Sequence, residues 1–260
     1  LDNYSSKLFN ILTNVSSADG LVLVYSKYLY SGIIPCAIAL EHIGFNKYNR
    51  NNILIDKDKI VSKGSSYIIL TAEESISPNN AEELTKFNDE TNNKGQHIKV
   101  ALINEIAAEG VSFKNVREVH ILEPWYNMNK IEQIIGRGVR FYSHHTLPEE
   151  ERNVSVFLHT NIDNSDQETV DYRRYRMSLN KQEKINAIEK LMKENAIDCR
   201  INNISKLNID TTILDSKGLK KKIKYQYDNI KCTQSKIKVG PMKASEMNLR
   251  MLLFDIIETS

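Results

Sequence analysis

Apolar and polar positions along this chain fall into alternating blocks. Tyr4, Leu8, Phe9, Ile11 and Leu12 recur at near-helical spacing over residues 4–14, and Ser16-Ser17 with Asp19-Gly20 closes that element. Leu21-Val22-Leu23-Val24-Tyr25 is a continuous apolar run of strand length, which suits a strand covered on both faces. Ser26-Lys27 stands at its carboxyl end, and residues 33–42 read as a helix. Residues 46–64 are polar and irregular, which predicts an insertion or mobile loop. Residues 67–71 form a second buried-type strand, 79–88 a helix, and the Asn/Asp/Gly cluster at 88–95 a turn. A third strand over 98–104 leads into 105–113, and a fourth covers 118–122. A fifth, 154–159, follows a connection holding Pro148 and charged residues.

Strands alternating with helices at this spacing predict an α/β fold, a doubly wound parallel sheet, over residues 1–165. In such sheets ligands sit at the carboxyl ends of the strands. Ser26, Thr71, Asn104 and Glu109-Gly110 fall at such ends, as does the helix that follows the fourth strand. The character changes over 166–260, predicted to be a helical, basic C-terminal extension. Residues 166–196 show a long helical pattern in which Tyr172, Tyr175, Leu179, Ile185, Ile188, Leu191 and Met192 recur. That stripe reads as packing surface rather than a binding box. Residues 215–243 carry nine lysines against two aspartates, with Tyr225 and Tyr227 interleaved. Such a segment can track a nucleic-acid backbone and stack bases, although solvated lysines are the plainer reading. Residues 244–258 read as a terminal helix.

Composition adds bounds. The 260 residues, 41% hydrophobic and 26% charged, are ordinary for a globular protein, and the net charge of +2 excludes no partner. Abundant Asn, Ile and Lys point to AT-rich coding DNA. No apolar run reaches the length of a membrane span and no signal-peptide pattern opens the chain, so an intracellular protein without a membrane partner is expected. The chain starts at Leu1 rather than Met, and a fragment or processed piece is expected. Cys36, Cys199 and Cys232 form no Cys-x-x-Cys or even framework, which predicts a reducing compartment and incidental thiols. The six histidines show no metal-ligand spacing, and His144-His145 reads as a helix-end or loop pair.

The densest chemistry lies in residues 121–140, Ile-Leu-Glu-Pro-Trp-Tyr-Asn-Met-Asn-Lys-Ile-Glu-Gln-Ile-Ile-Gly-Arg-Gly-Val-Arg. Gln133, Arg137 and Arg140 sit at i, i+4 and i+7, which on one continuous helix puts them on one face. Guanidiniums converging at a strand-to-helix edge suit a polyphosphate. Taken alone, Arg-x-x-Arg is an ordinary surface helix with solvated arginines; the neighbours change that reading.

The segments resemble, in order, the second RecA-like domain of superfamily 2 helicases, of the P-loop NTPase type. Leu21–Tyr25 with Ser26-Lys27 is similar to motif IV, residues 100–110 to motif V, and Gln133-Ile-Ile-Gly136-Arg137-Gly-Val-Arg140 to motif VI. Pro124-Trp125-Tyr126-Asn127 resembles the Swi2/Snf2-type branch. Four further stretches resemble helicase-like ATPases of large nucleocytoplasmic DNA viruses, the group of the poxvirus early transcription factor small subunit and nucleoside triphosphatase I. They are Leu21-Val-Leu-Val-Tyr-Ser-Lys-Tyr, Ser31-Gly-Ile-Ile-Pro-Cys, Val119-His-Ile-Leu-Glu-Pro-Trp-Tyr-Asn and Leu147-Pro-Glu-Glu-Glu-Arg-Asn-Val. Ala196-Ile-Asp-Cys-Arg-Ile-Asn is similar to that group's C-terminal signature, and the resemblance covers residues 10–203.

The resemblance implies that Arg140 is an arginine finger, Arg137 a second contact to the β/γ-phosphates, and Gln133 the group that orients the γ-phosphate or attacking water. Gly136 would allow close approach, and Glu109-Gly110 would reach the nucleotide's ribose or phosphate edge. Ser26, Lys27, Thr71 and Asn104 would meet the backbone of DNA or RNA. The implied setting is viral transcription, in the host cytoplasm or viral factory and in the virion, beside a viral RNA polymerase or transcription-factor subunit. One departure matters: the sequence has no Gly-x-x-x-x-Gly-Lys-Ser/Thr and no Asp-Glu box after a buried strand, Asp89-Glu90 lying in a polar turn. ATP with Mg2+ is therefore expected to be held mainly by a first RecA-like domain outside this chain, in cis or in trans, and this chain alone to be inactive. The rival reading is a non-catalytic module that binds nucleic acid and a partner within a transcription complex.

Overall fold

The computed structural model describes residues 5–49, 52–54, 65–105, 110–161, 168–196, 199, 208–214 and 220–226. The chain divides into two compact units, Leu1–Asn180 and Lys181–Ser260. In the first unit, α1 (Ser6–Ser17) is capped by Ser5, whose Oγ accepts from the Leu8 amide at 3.3 Å. Then come β1 (Leu21–Tyr25), a π-helical turn (Leu29–Ile33) and α2 (Ile34–His42), which Pro35 opens. They are followed by β2 (Asn46–Lys47), β3 (Ser66–Leu70), α3 (Asn80–Phe87), β4 (Ile98–Ile103), β5 (Val116–Ile121), α4 (Met128–Gly138), β6 (Ser155–Leu158) and α5 (Val170–Asn195).

Six strands form one sheet in the order β2-β3-β4-β1-β5-β6, and every pairing is parallel. The fold is the expected α/β doubly wound sheet. All five residues of β1 are buried, and they alternate between two cores. Leu21, Leu23 and Tyr25 join Ile103, Val119 and Ile121 under α3, α4 and the start of α5, through Phe87, Ile131, Ile134 and Tyr175. Val22 and Val24 join Tyr67, Val100 and Leu102 under α1 and α2, through Ile11, Val15, Cys36 and Leu40. A run apolar at every position is thus a strand with a helical layer on each face.

Three expectations need correction. Asn46–Lys47, expected to be irregular, is the edge strand β2. Its polarity hides a buried anchor: Lys47 Nζ donates to the Ile76 carbonyl at 2.9 Å, and the Glu41 carboxylate accepts from the Ile53 and Leu54 amides and from Tyr67 Oη. The α5 stripe was expected to pack, yet only Tyr175 of it is buried. Tyr172, Leu179, Ile185, Ile188, Leu191 and Met192 are exposed. Cys36 is a buried free thiol, but Cys199 is joined in a disulfide, because linear spacing does not say which thiols meet in space.

Of the second unit, the described residues form the C-terminal part of α5, Cys199, and an antiparallel pair, β7 (Asn208–Leu214) with β8 (Lys220–Gln226). The lysine-rich segment therefore includes a strand; its remainder and the expected terminal helix lie outside the described residues. Among the described residues no helix is long and apolar enough to cross a membrane, and no three His, Cys, Asp or Glu side chains cluster as metal ligands.

Candidate functional site

The site grows from the carboxyl end of β5. The Leu122 amide donates to the Tyr25 carbonyl at 3.0 Å, carrying the sheet one residue further, and the Leu122 carbonyl accepts from Lys7 Nζ at 2.8 Å. Lys7 also pairs with Asp171 at 2.7 Å. Pro124 and Trp125 then turn the chain into α4. Ile131, Ile134 and Gly138 lie at i, i+3 and i+7, and all three are buried. A Cβ on Gly138 would stand 3.3–3.4 Å from side-chain carbons of Val116 and Val119, so this glycine lets the helix approach β5. Gln133 is thereby left exposed and Arg137 half-buried on the outer face.

Arg140 is not on that helix. α4 ends at Gly138 and Val139 leaves the helical conformation, with φ −116° and ψ 81°, so the i, i+4, i+7 count fails at its last member. The side chain returns to the helix end by another route: Nε donates to the Gly136 carbonyl at 3.1 Å, and Nη1 donates to Ser112 Oγ. Arg137 Nη1 reaches the Val111 carbonyl at 3.5 Å, and the Phe113 amide donates to the Arg137 carbonyl at 2.9 Å. Both guanidiniums therefore meet residues 111–112, next to Gly110. Gly110 is exposed with φ +78°, a left-handed conformation that glycine adopts without a Cβ penalty. Glu109 lies outside the described residues. A Cβ on Gly136 would meet nothing within 4 Å, so no neighbour among the described residues requires that glycine.

The helix end that carries the arginines packs on Val116, the first residue of β5, so they lie toward the amino end of that strand and not at the carboxyl edge expected from the sequence. At the carboxyl ends of β1, β3 and β4, Ser26, Thr71 and Asn104 are all buried. Ser26 Oγ donates to Glu123 Oε1 at 2.9 Å, and Thr71 Oγ1 accepts from the Glu73 amide at 3.4 Å. Burial pushes the Glu123 carboxyl up, an effect that bonds from Ser26 and the Lys27 amide partly offset. Lys27 is exposed, with Nζ 4.6 Å from the centre of the Trp125 ring. Lys130 Nζ is 5.8 Å from the same ring and pairs with Glu105 at 3.3 Å. Trp125 Nε1 donates to Tyr25 Oη at 3.3 Å, and Arg174 stacks on Tyr126 at 5.2 Å. Burial pushes the Tyr25 hydroxyl up to about 12. Sequence reasoning did not assign roles to Glu123, Trp125, Lys130 or Ser112. The one tryptophan of the chain, flanked by a tyrosine and followed by a lysine, was the signal available for the aromatic and basic cluster.

Residues 45–142, which include this strand-to-helix edge, match the helicase conserved C-terminal domain family. The chain carries a helicase C-terminal domain. It is similar to a candidate ATP-dependent RNA helicase of Acanthamoeba polyphaga mimivirus, 36% identical over 200 residues that cover 76% of this chain and 33% of that protein. It is 28% identical over 238 residues to a termination factor NPH-I homolog of African swine fever virus, covering 77% of this chain and 34% of that protein. A candidate helicase of Invertebrate iridescent virus 3 is 30% identical over 210 residues, 78% of this chain and 21% of the relative. The helicase domain thus has relatives among large DNA viruses, as its motifs implied. The chain spans about a third of the length of the first two relatives and about a fifth of the third.

Proposed function

We propose that this chain is the C-terminal motor half of an ATP-dependent nucleic-acid helicase or translocase serving viral transcription. The observation that carries this reading is the convergence of Arg137 and Arg140 on residues 111–112, next to Gly110 and shortly before the start of β5. ATP, when bound, supplies a phosphoryl group whose transfer spreads negative charge over its oxygens, and a protein accelerates that step by positioning and neutralising. Arg140 is the finger: its contacts to Ser112 and Gly136 are exchangeable, and its guanidinium offers five N–H donors to phosphate oxygens. Arg137 supplies a second cation, Gln133 an exposed amide to orient the γ-phosphate or water, and Gly136 an open face of the helix. Gly110, with Glu109, borders the ribose or phosphate edge.

These residues fit the phosphate side of a nucleotide and not its metal. Among the described residues no three His, Cys, Asp or Glu side chains cluster as metal ligands, and the sequence has no P-loop lysine. ATP and Mg2+ are therefore assigned mainly to a first RecA-like domain, in cis or in trans, and this chain alone is expected to be inactive. Lys27 is an exposed cation for DNA or RNA, with Ser26, Thr71 and Asn104 at the carboxyl ends of β1, β3 and β4. The termination-factor name of the African swine fever virus relative supports a transcription setting, with a viral RNA polymerase or transcription factor as partner. An intracellular place follows, in the host cytoplasm, the viral factory or the virion.

The test is nucleic-acid-stimulated ATPase of the full-length protein, with the 260-residue chain as a control expected to give no turnover. Arg140→Ala should lower the full-length rate by about 10³-fold. A full-length protein whose rate is unchanged by Arg140→Ala sinks the finger assignment and favours the non-catalytic nucleic-acid- and partner-binding module.

A further inference from the structure

The junction around Glu123 serves no role that the motor reading has so far used. Ser26 Oγ donates to Glu123 Oε1 at 2.9 Å and the Lys27 amide donates to Oε2 at 3.1 Å, so both carboxylate oxygens are engaged by the loop after β1. Ser26 Oγ also contacts the Tyr28 carbonyl and accepts from the Tyr28 amide, each at 3.1 Å. The pair occupies space that only a glycine leaves: a Cβ on Gly32 would overlap Ser26 Oγ and come within 3.2 Å of Glu123 Oε1. Lys7 holds the preceding Leu122 carbonyl at 2.8 Å, which braces the carboxylate from the β5 side. Lys27 is one residue beyond Ser26, and Trp125 two beyond Glu123. Lys27 Nζ stands over the ring of Trp125, and Trp125 leads directly into α4.

We propose that Glu123 is a positioning residue, whose carboxylate fixes the loop after β1 to the β5–α4 connection and so presents Lys27 on Trp125 to a single-stranded nucleic acid. This rests on the reading of Lys27 as a nucleic-acid contact. It changes the part played by Ser26: its hydroxyl is turned inward and bonded, so Ser26 acts through Glu123 and not by touching the strand. Shape, and not charge, is what the junction needs. A glutamine at 123 can accept from the Lys27 amide with its oxygen and donate to Ser26 Oγ, whose own proton then goes to the Tyr28 carbonyl.

The experiment is a double-mutant cycle on the full-length protein, reading the Kd for a fluorescein-labelled single-stranded DNA at fixed salt. Glu123→Ala should weaken binding about tenfold, as expected when hydrogen bonds to a charged group are lost. Glu123→Gln should restore most of it. In a Lys27→Ala background, Glu123→Ala should have no further effect. Additive losses, or an unchanged Kd for Glu123→Ala, overturn the proposal. Should Glu123→Ala fail to fold, Gly32→Ala breaks the same pair by steric overlap; it should reproduce the tenfold loss and be silent in the Lys27→Ala background. Because the readout is binding, it separates from the motor reading. A non-additive cycle in a protein whose ATPase ignores Arg140→Ala supports Glu123 and rejects the finger. If Lys27→Ala alone leaves Kd unchanged, the nucleic-acid assignment of Lys27 fails and the proposal with it.

Discussion

Two glycines in α4, two positions apart, have opposite surroundings. Gly138 faces Val116 and Val119, both fully buried on β5, whereas a Cβ on Gly136 points into open space. Gly138→Ala should therefore destabilise the fold by about 1 kcal/mol, since the valines on a paired inner strand have little room to give. Gly136→Ala should raise stability by up to about 1 kcal/mol, because alanine is the better helix former and meets nothing. It should still slow the full-length ATPase if Gly136 borders the nucleotide. Thermal denaturation of both variants reads the first contrast; equal shifts for the two would remove the packing role assigned to Gly138. Gly136 was legible as part of a motif. Gly138 was equally visible in the phase of Ile131 and Ile134, but the motif drew attention to the other face. Arg140 was misread for a related reason: counting i+7 assumes a helix that continues, and here it ends at Gly138 before Val139 departs.

At the scale of elements, the buried strands were legible because β1, β3 and β4 are apolar at nearly every position. β2 was not, because two polar residues held by a buried lysine carry no periodic signal. The β5–β6 edge holds a further feature that pattern could not reveal. His120 Nε2 lies 3.1 Å from Glu118 Oε2, and its Nδ1 lies 2.9 Å from His159 Nε2. A carboxylate only accepts, so with both rings neutral the His120 proton sits on Nε2 and His159 donates to Nδ1. Burial, then the neighbouring His120 and Lys7, hold the His159 imidazole down to about 3. The folded state then binds fewer protons than the unfolded chain between that value and the ordinary histidine pKa of about 6.5. His159 thus supports stability above about pH 6.5, and that support is lost as pH falls toward 3. Glu123, raised by burial, acts with the opposite sign: its contribution is present below the ordinary carboxylate range and is lost as pH rises through its folded pKa. The comparison must accordingly be against His159→Gln, followed by urea midpoints across pH. The wild type should lose stability more steeply than the variant on acidification below about pH 6.5. Parallel curves would mean that His159 titrates freely.

At the scale of the whole molecule, the chain holds two kinds of positive charge with different physical claims on nucleic acid. In the first unit, Lys27 is a single cation fixed over an aromatic ring at the edge of a packed sheet. Over 215–243 the chain has nine lysines against two aspartates, a density that acts through charge and needs no fixed geometry. Composition made the second legible and left the first ambiguous, because a strand-end lysine looks the same in sequence whether or not a tryptophan lies beneath it. Salt dependence separates them. Each phosphate neutralised on a single strand contributes roughly 0.7 to the slope of log K against log salt. Lys27→Ala should lower the slope by about that amount, since it removes one contact. Ending the full-length protein before Asp215 should lower it by several times as much if the lysine-rich segment tracks the strand. An unchanged slope after that truncation would leave those lysines solvated and confine the nucleic-acid track to the carboxyl edge of the sheet, where Lys27 on the loop after β1 lies over Trp125.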